Sequence, residues 1–356
     1  MMNNNFLRII SASPEDREGL FLSTANKLGT SLKNVEKDFW VCWILDLVFN
    51  GRREGEPRLL FKGGTSLSKA YSLISRFSED IDITVFREDL GLDIEVKDLE
   101  ELSGKKQRTR LEEIKQACQT YIQDAFKERL HQQIKTVFQE IGANLKEPYI
   151  VLDPSDAQKQ TLLIHYPSVD AHSDDYVKPS IKIEAGAKSA LDPHCSVTLQ
   201  PYIATEISHN NLSVENIITI EPSRTFWDKV IILHGIRCWY ENRGELRQNG
   251  HRVSRHYYDI YQLMQSEIGK EAQKDHGLAI DCARHAQLFF NSADLNLKDA
   301  RLGSFTLIPT KEMRQLLNRD YQAMAGMIFG QVPKFSDVLD VIAELEQTIN
   351  SYKIDE

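Results

Sequence analysis

The sequence predicts an α+β protein, with strands set among helices over residues 1–222 and helices from there to residue 356. Three observations predict it. The runs "LLFKGG" (59–64), "DIDITVF" (80–86), "TLLIHY" (161–166), "SIKIEAG" (180–186) and "NIITI" (216–220) have strand lengths and lie between turn-forming or polar residues. The stretches before and between them keep a helical period. After Pro222 the helical period holds to the end, apart from loops near 241–254 and 303–311.

Each element has its own signal. Residues 35–50 form a helix that is apolar nearly all round, through Phe39, Trp40, Trp43, Ile44, Leu47 and Val48, and such a helix must be buried. "GRREGEPR" (51–58) is a turn-rich connector to the first strand. Leu67, Ala70, Tyr71 and Ile74 fall at i, i+3, i+4 and i+7 and predict a helix over 65–74. In "DIDITVF", Ile81, Ile83 and Val85 point one way and Asp80, Asp82 and Thr84 the other. A charged helical insertion covers about residues 106–142, where Leu111, Ile114, Cys118, Ile122, Phe126, Leu130, Ile134, Val137 and Ile141 keep the period of a bent helix or a helical pair. No internal repeat or low-complexity tract interrupts the chain. The expected division is a domain over 1–222, with an N-terminal helix and the insertion, and a helical domain over 223–356 that contributes to the active site.

Composition narrows the class. A hydrophobic share of 41% and a charged share of 27% belong to an ordinary soluble globular chain. The net charge of -9 argues against nucleic-acid binding by the whole surface, but not by a local basic patch. The five cysteines, Cys42, Cys118, Cys195, Cys238 and Cys282, are scattered and form no CxxC pair. A zinc site or disulfide framework is not expected, and a reducing, cytoplasmic setting is. The opening "MMNNNFLRIISASPEDREG" has no apolar core of a signal peptide. The most apolar segment, "FWVCWILDLVF" (39–49), carries Asp46 and falls short of the roughly 20 residues of a membrane span.

The chemistry concentrates in "GGTSLSKAYSLISRFSEDIDITVF" (63–86). Gly63 and Gly64, between a strand and a helix, let backbone approach a ligand closely. The first amides of a helix lack intrahelical partners and can meet phosphate oxygens, and Thr65 and Ser66 add hydroxyls there. The pattern is neither a Walker A loop nor GxGxxG. Asp80 and Asp82 share one strand face, roughly 7 Å apart along it. Two carboxylates so placed suit hard cations such as Mg²⁺ or Mn²⁺. Two such ions can hold the attacking and leaving oxygens of a phosphoryl transfer. A glycine pair alone is commonly a simple turn, and Asp-x-Asp alone a wet strand face. The two joined by one short helix point to a nucleotide site.

This arrangement resembles the first motif of the nucleotidyltransferase superfamily, a G-[GS] turn followed by Dx[DE]. More closely, "FKGGTSLSKAYSLISRFSEDIDI" resembles the AbiEii/AbiGii family of nucleotidyltransferase toxins. "EPSRTFWDKVIILH" (221–234) and "RHYYDIYQL" (255–263) are similar to that family's later motifs. The likeness spans about residues 35–265. It implies a nucleotidyltransferase-type mixed sheet with flanking helices, and a toxin of a toxin–antitoxin or phage-defence pair with a cognate antitoxin. It further implies a Mg²⁺-dependent enzyme that moves NMP from an NTP to an acceptor, a tRNA 3′ end, with release of pyrophosphate. A protein hydroxyl as acceptor, or a non-catalytic relative that binds nucleotide or RNA, are the alternatives.

Other site residues follow. Such enzymes supply a third acid from a later strand. In "KPSIKIEAG", Lys182 and Glu184 share a face opposite Ile181 and Ile183. Glu184 reads as third metal ligand or general base, or as one half of a salt bridge on a wet face. Asp170, Asp174 and Asp175 are weaker acids for the role. Lys229 has Phe226, Ile232 and Leu233 as helical neighbours, so its charge needs an anion or a route to solvent. With the resemblance, Lys229 reads as a contact to nucleotide phosphates, beside Lys69 and Lys182. The resemblance also marks Asp259, which could orient Lys229 or Arg255. Asp228 could pair with Arg224. Arg237, Arg243, Arg247, Arg252 and Arg255, interleaved with Trp239, Tyr240, Tyr257 and Tyr258, suit a nucleic-acid end. A second basic run, "GKKQRTR" (104–110), lies in the insertion.

Overall fold

The computed structural model of the chain describes residues 3–142, 149–170, 179–207 and 211–352. It divides into two compact units. The first comprises Met1–Ala70, Phe77–Asp93 and Arg108–Thr219, and the second Tyr71–Arg76, Ile94–Gln107 and Ile220–Glu356.

In the first unit the described strands form one mixed sheet. They are β1 (Leu59–Lys62), β2 (Asp80–Val85), β3 (Ile150–Leu152), β4 (Thr161–His165), β5 (Ser180–Gly186), β6 (His194–Leu199) and β7 (Val214–Ile220), in the order β3-β4-β5-β2-β1-β7-β6. β2 is central, antiparallel to β1 and parallel to β5. β1 pairs parallel with β7, and β4 is antiparallel to both β3 and β5. The fold is therefore α+β with flanking helices, as the strand and helix periods predict. Alternation along β2 seats Ile81 and Ile83 in the core and leaves Asp80 and Asp82 half-buried on the other face.

The helix Leu32–Phe49 is started by Ser31, whose hydroxyl accepts from the Asn34 amide. It is buried along almost its whole length, with Trp40 stacked on Tyr166 at 5.3 Å between ring centres. Three consecutive charged residues on it are also buried, and each has a partner. Glu36 accepts from the Ser168 hydroxyl and the Val169 amide, Lys37 pairs with Glu79, and Asp38 pairs with Lys69. A charge enters a core at tolerable cost only when it is paired and hydrogen-bonded.

Two predicted elements differ in extent. The helix expected over 65–74 runs Gly63–Lys69. It stops because Ser72 adopts a left-handed φ of 53°, which no right-handed helix accommodates. The insertion is helical without a break, Gly104–Tyr121 passing through a π-helical turn at Ile122–Phe126 into Lys127–Glu140.

The second unit is helical after Pro222, with Pro222–Arg243, Arg255–Met264, Glu267–Lys274, His276–Phe289, Lys311–Met324 and Phe335–Asn350. Trp227 is fully buried, its indole N–H donating to the Ala272 carbonyl at 2.9 Å. Tyr71–Arg76 joins this unit: the Tyr71 hydroxyl donates to the Ile220 carbonyl, and the Phe329 amide to that of Ser75. No described helix is long and apolar enough to cross a membrane.

Candidate active site

The glycine turn and the paired aspartates form one built unit. β1 runs into the helix Gly63–Lys69 through Lys62, which stands opposite Asp82 in the β1–β2 register. Gly63 has a φ of +82°, and a Cβ placed on it would fall 2.0 Å from Asp82 Oδ2. Glycine is required twice here, by the backbone angle and by the close approach of the carboxylate.

Thr65 and Ser66 are fully buried, and their hydroxyls serve the turn itself. Thr65 Oγ1 donates to the Asp80 carbonyl and lies 2.8 Å from Ser78 Oγ, and Ser66 Oγ donates to the Gly63 carbonyl at 2.9 Å. These contacts tie the start of the helix to the start of β2. Lys69 is likewise interior: its ammonium pairs with Asp38 at 2.6 Å and lies 3.8 Å from the centre of the Tyr202 ring. Burial disfavours the Lys69 ammonium, but Asp38 outweighs it and raises the pKa above the ordinary lysine value.

β5 brings the next acid alongside. Lys182 stands opposite Asp80 and Glu184 opposite Asp82 in the parallel register. The Lys182 ammonium is 2.6 Å from Glu184 Oε1 and 3.7 Å from Asp153 Oδ2. Burial lowers the Lys182 pKa, and Glu184 with Asp80 and Asp153 raises it beyond the ordinary value. Among the described residues no three His, Cys, Asp or Glu side chains are gathered tightly enough to hold a metal. The donor chemistry nevertheless fits a divalent cation: hard carboxylates on one face, with the glycine turn giving Asp82 room that a side chain would fill. Asp80 and Asp82 would hold the ion, with Glu184 at the register position to join them. Asp170 pairs with Lys33 at 3.4 Å, and Asp174 and Asp175 lie outside the described residues.

The second unit holds a separate charged cluster. Lys229 on the helix Pro222–Arg243 reaches Asp259 on the helix Arg255–Met264, Nζ to Oδ2 2.8 Å. Arg76 meets the same carboxylate with two bonds, Nε to Oδ1 at 2.7 Å and Nη2 to Oδ2 at 2.8 Å. All three side chains are more than nine-tenths buried. Burial would raise the Asp259 pKa, but Arg76 and Lys229 together hold its carboxyl well below the usual carboxylate range. Burial lowers the Lys229 pKa, Asp259 opposes that, and Arg76 and Arg255 reinforce it. Arg76 escapes a reading of the sequence because it looks like part of a connector. Its signal is an arginine wedged between Ile74 and Phe77, both buried, where a charge needs a carboxylate.

The five arginines of the later loop and helices have distinct surroundings. Arg237 donates to the Ile308 carbonyl and pairs with Glu241. Arg243 pairs with Asp294, and the guanidinium groups of Arg243 and Arg247 lie 5.5 and 5.2 Å from the centre of the Trp239 ring. The Arg252 amide donates to Asp320, and Arg255 opens the helix that carries Asp259. Arg224 and Asp228 pair at i, i+4.

A mixed sheet with a glycine turn packed on paired aspartates defines a nucleotidyltransferase-type α+β protein. The family model described as "Nucleotidyl transferase AbiEii toxin, Type IV TA system" matches residues 46–341, and the chain belongs to that family. No curated protein matches the chain. Among solved structures it is similar to MenT4, a nucleotidyltransferase toxin from Mycobacterium tuberculosis H37Rv, with 12% identity, 95% of this chain and 99% of that chain covered, and a TM-score of 0.43.

Proposed function

We propose that this toxin transfers NMP from an NTP to an RNA acceptor, a tRNA 3′ end, with Mg²⁺ or Mn²⁺ as cofactor and release of pyrophosphate. The observation that supports this reading is the close approach of Gly63 to Asp82, which sets the turn we read as phosphate-facing against a carboxylate we read as a metal ligand.

In this reading Gly63 and Gly64 present backbone amides to the triphosphate, while Thr65, Ser66 and Lys69 hold that backbone in place. Asp80 and Asp82 bind metal, joined by Glu184. When bound, the cation neutralises phosphate charge and polarises the oxygens involved in transfer. The acceptor hydroxyl oxygen bonds to the α-phosphorus, and the bond from that phosphorus to the pyrophosphate oxygen breaks. The hydroxyl proton passes to a carboxylate, for which Glu184 is our candidate. Lys182 and Lys229 contact phosphate oxygens, and Asp259 orients Lys229. Arg237, Arg243, Arg247, Arg252 and Arg255 hold the RNA. The proposed setting is the cytoplasm, with a cognate antitoxin as partner.

The test is incubation of the protein with each α-labelled NTP and purified tRNA. Label on tRNA, dependent on Mg²⁺ or Mn²⁺, is expected. Label on protein alone would overturn the acceptor, and no label with any NTP would overturn the chemistry.

A further inference from the structure

Lys182 stands among three acids of the first unit. Its ammonium lies 2.6 Å from Glu184 Oε1 and 3.7 Å from Asp153 Oδ2, and Asp80, opposite it in the β2–β5 register, also favours its charged form. The two contacted acids are held differently. The Asp153 side chain is only 10% exposed, and its Oδ1 accepts from the Ser155 amide at 2.9 Å and from the Ser155 hydroxyl at 2.6 Å. The Glu184 side chain is 42% exposed, and among the described residues Lys182 is its only ion-pair partner. Lys182 therefore has a pinned carboxylate on one side and, on the other, one that nothing else grips. A pair as exposed as Lys182 and Glu184 is weak and easily remade.

We propose that Lys182 is the internal counter-cation of the site: its ammonium holds Glu184 until that carboxylate is given up to a divalent cation, and Lys182 then turns to the triphosphate. This rests on the reading that Glu184 joins Asp80 and Asp82 as a metal ligand. Glu184 stands opposite Asp82 in the parallel register, so the acid placed to complete the set is the one an ammonium already occupies. A hard divalent cation prefers carboxylate oxygen, and a unit positive charge beside it opposes its binding. The same charge attracts phosphate oxygens. Lys182 thus works against the metal and in favour of the nucleotide, so its removal should move the two affinities in opposite directions. A lysine that only braced Glu184 would behave otherwise, because its loss would weaken metal binding.

The experiment counts bound Mn²⁺ by electron paramagnetic resonance, without nucleotide, for the full chain, Lys182→Met, Lys182→Arg and Asp80→Asn. Binding of each NTP at saturating Mn²⁺ is then measured, alongside thermal melting. For Lys182→Met we expect about tenfold tighter Mn²⁺ binding and about tenfold weaker NTP binding. Lys182→Arg keeps the charge and is expected to bind Mn²⁺ within about twofold of the parent. Lys182→Gln takes the place of Lys182→Met should that variant melt too low to assay. A folded Lys182→Met that binds Mn²⁺ no tighter than the parent, or a Lys182→Arg that gains as much as Lys182→Met, would overturn the exchange. Tighter Mn²⁺ with unaltered NTP binding would overturn the turn of Lys182 to the triphosphate. Asp80→Asn separates these ideas from the metal reading. If it binds Mn²⁺ like the parent, that reading fails and the exchange with it; if it loses Mn²⁺ while Lys182→Met gains none, only the exchange fails.

Discussion

Lys37 and Glu79 meet at 2.6 Å with both side chains about 95% buried, and Glu79 stands one residue before Asp80. Removing one member leaves the other charged in the core. Glu79→Ala is expected to cost about 3–5 kcal/mol in urea unfolding, whereas Lys37→Met with Glu79→Leu recovers most of that loss. A single Glu79→Ala variant as stable as the parent would show that the pair holds nothing.

Gly63→Ala should abolish transfer through local geometry. The new Cβ would meet Asp82 Oδ2 at 2.0 Å, so the carboxylate must move, and the φ of +82° adds a backbone penalty of about 1 kcal/mol. Gly29→Ala is the control. Gly29 also has a positive φ, of +64°, but a Cβ there meets nothing within 4 Å. It should lose about 1 kcal/mol of stability and keep full activity. Activity in Gly63→Ala equal to that in Gly29→Ala would refute the coupling of turn and carboxylate.

Mg²⁺ is expected to raise the melting temperature of the parent protein, and Asp80→Asn and Asp82→Asn should each remove that rise and lower transfer by a factor of about 1,000 or more. Chelation should reproduce the loss of activity in the parent protein. A variant that keeps its Mg²⁺-dependent shift would place the ion elsewhere.

Asp259→Asn takes the shared carboxylate away from the buried Arg76 and Lys229 and should destabilise the fold by about 3–5 kcal/mol at pH 7. The folded-state pKa of Asp259 lies below its ordinary value, so its stabilisation is complete above the ordinary carboxylate range and is lost only as pH falls through the lowered value. The gap between parent and variant should therefore stay flat from pH 8 down to pH 5. A gap that closes within that range would mean that Asp259 titrates normally.

Arg247→Ala should reduce the slope of log tRNA affinity against log salt by about one, as expected for the loss of one phosphate contact, with NTP binding unchanged. Arg243→Ala should do less, because Arg243 already pairs with Asp294. Unaltered slopes in both variants would remove the loop from the acceptor site.

The sheet's centre was legible in the sequence because β1, β2 and β5 carry apolar runs or strict alternation. β3, with three residues, and β6, "HCSVTL" with mostly exposed or half-exposed positions, carry too little pattern to be seen. The glycine turn and the two aspartates were legible as motifs because they are close in sequence. The inward use of Thr65, Ser66 and Lys69 was not, since their partners, among them Asp38, are set by folding rather than spacing. The link between Arg76 and Asp259 spans 183 residues, and no local period reports such a contact.

The second unit is drawn from three separate stretches of chain, which sets an order of events during synthesis. At 5–20 residues per second, the 183 residues from Arg76 to Asp259 take roughly 10–40 seconds to be made. Asp80, Asp82 and then Glu184 are made within that interval, while Asp259 is still to come. The helix Phe335–Asn350, whose Phe335 packs on Tyr257 beside Asp259, emerges later still. The discontinuous unit thus completes its buried charge cluster only late in synthesis, after both aspartates of the central strand have been made.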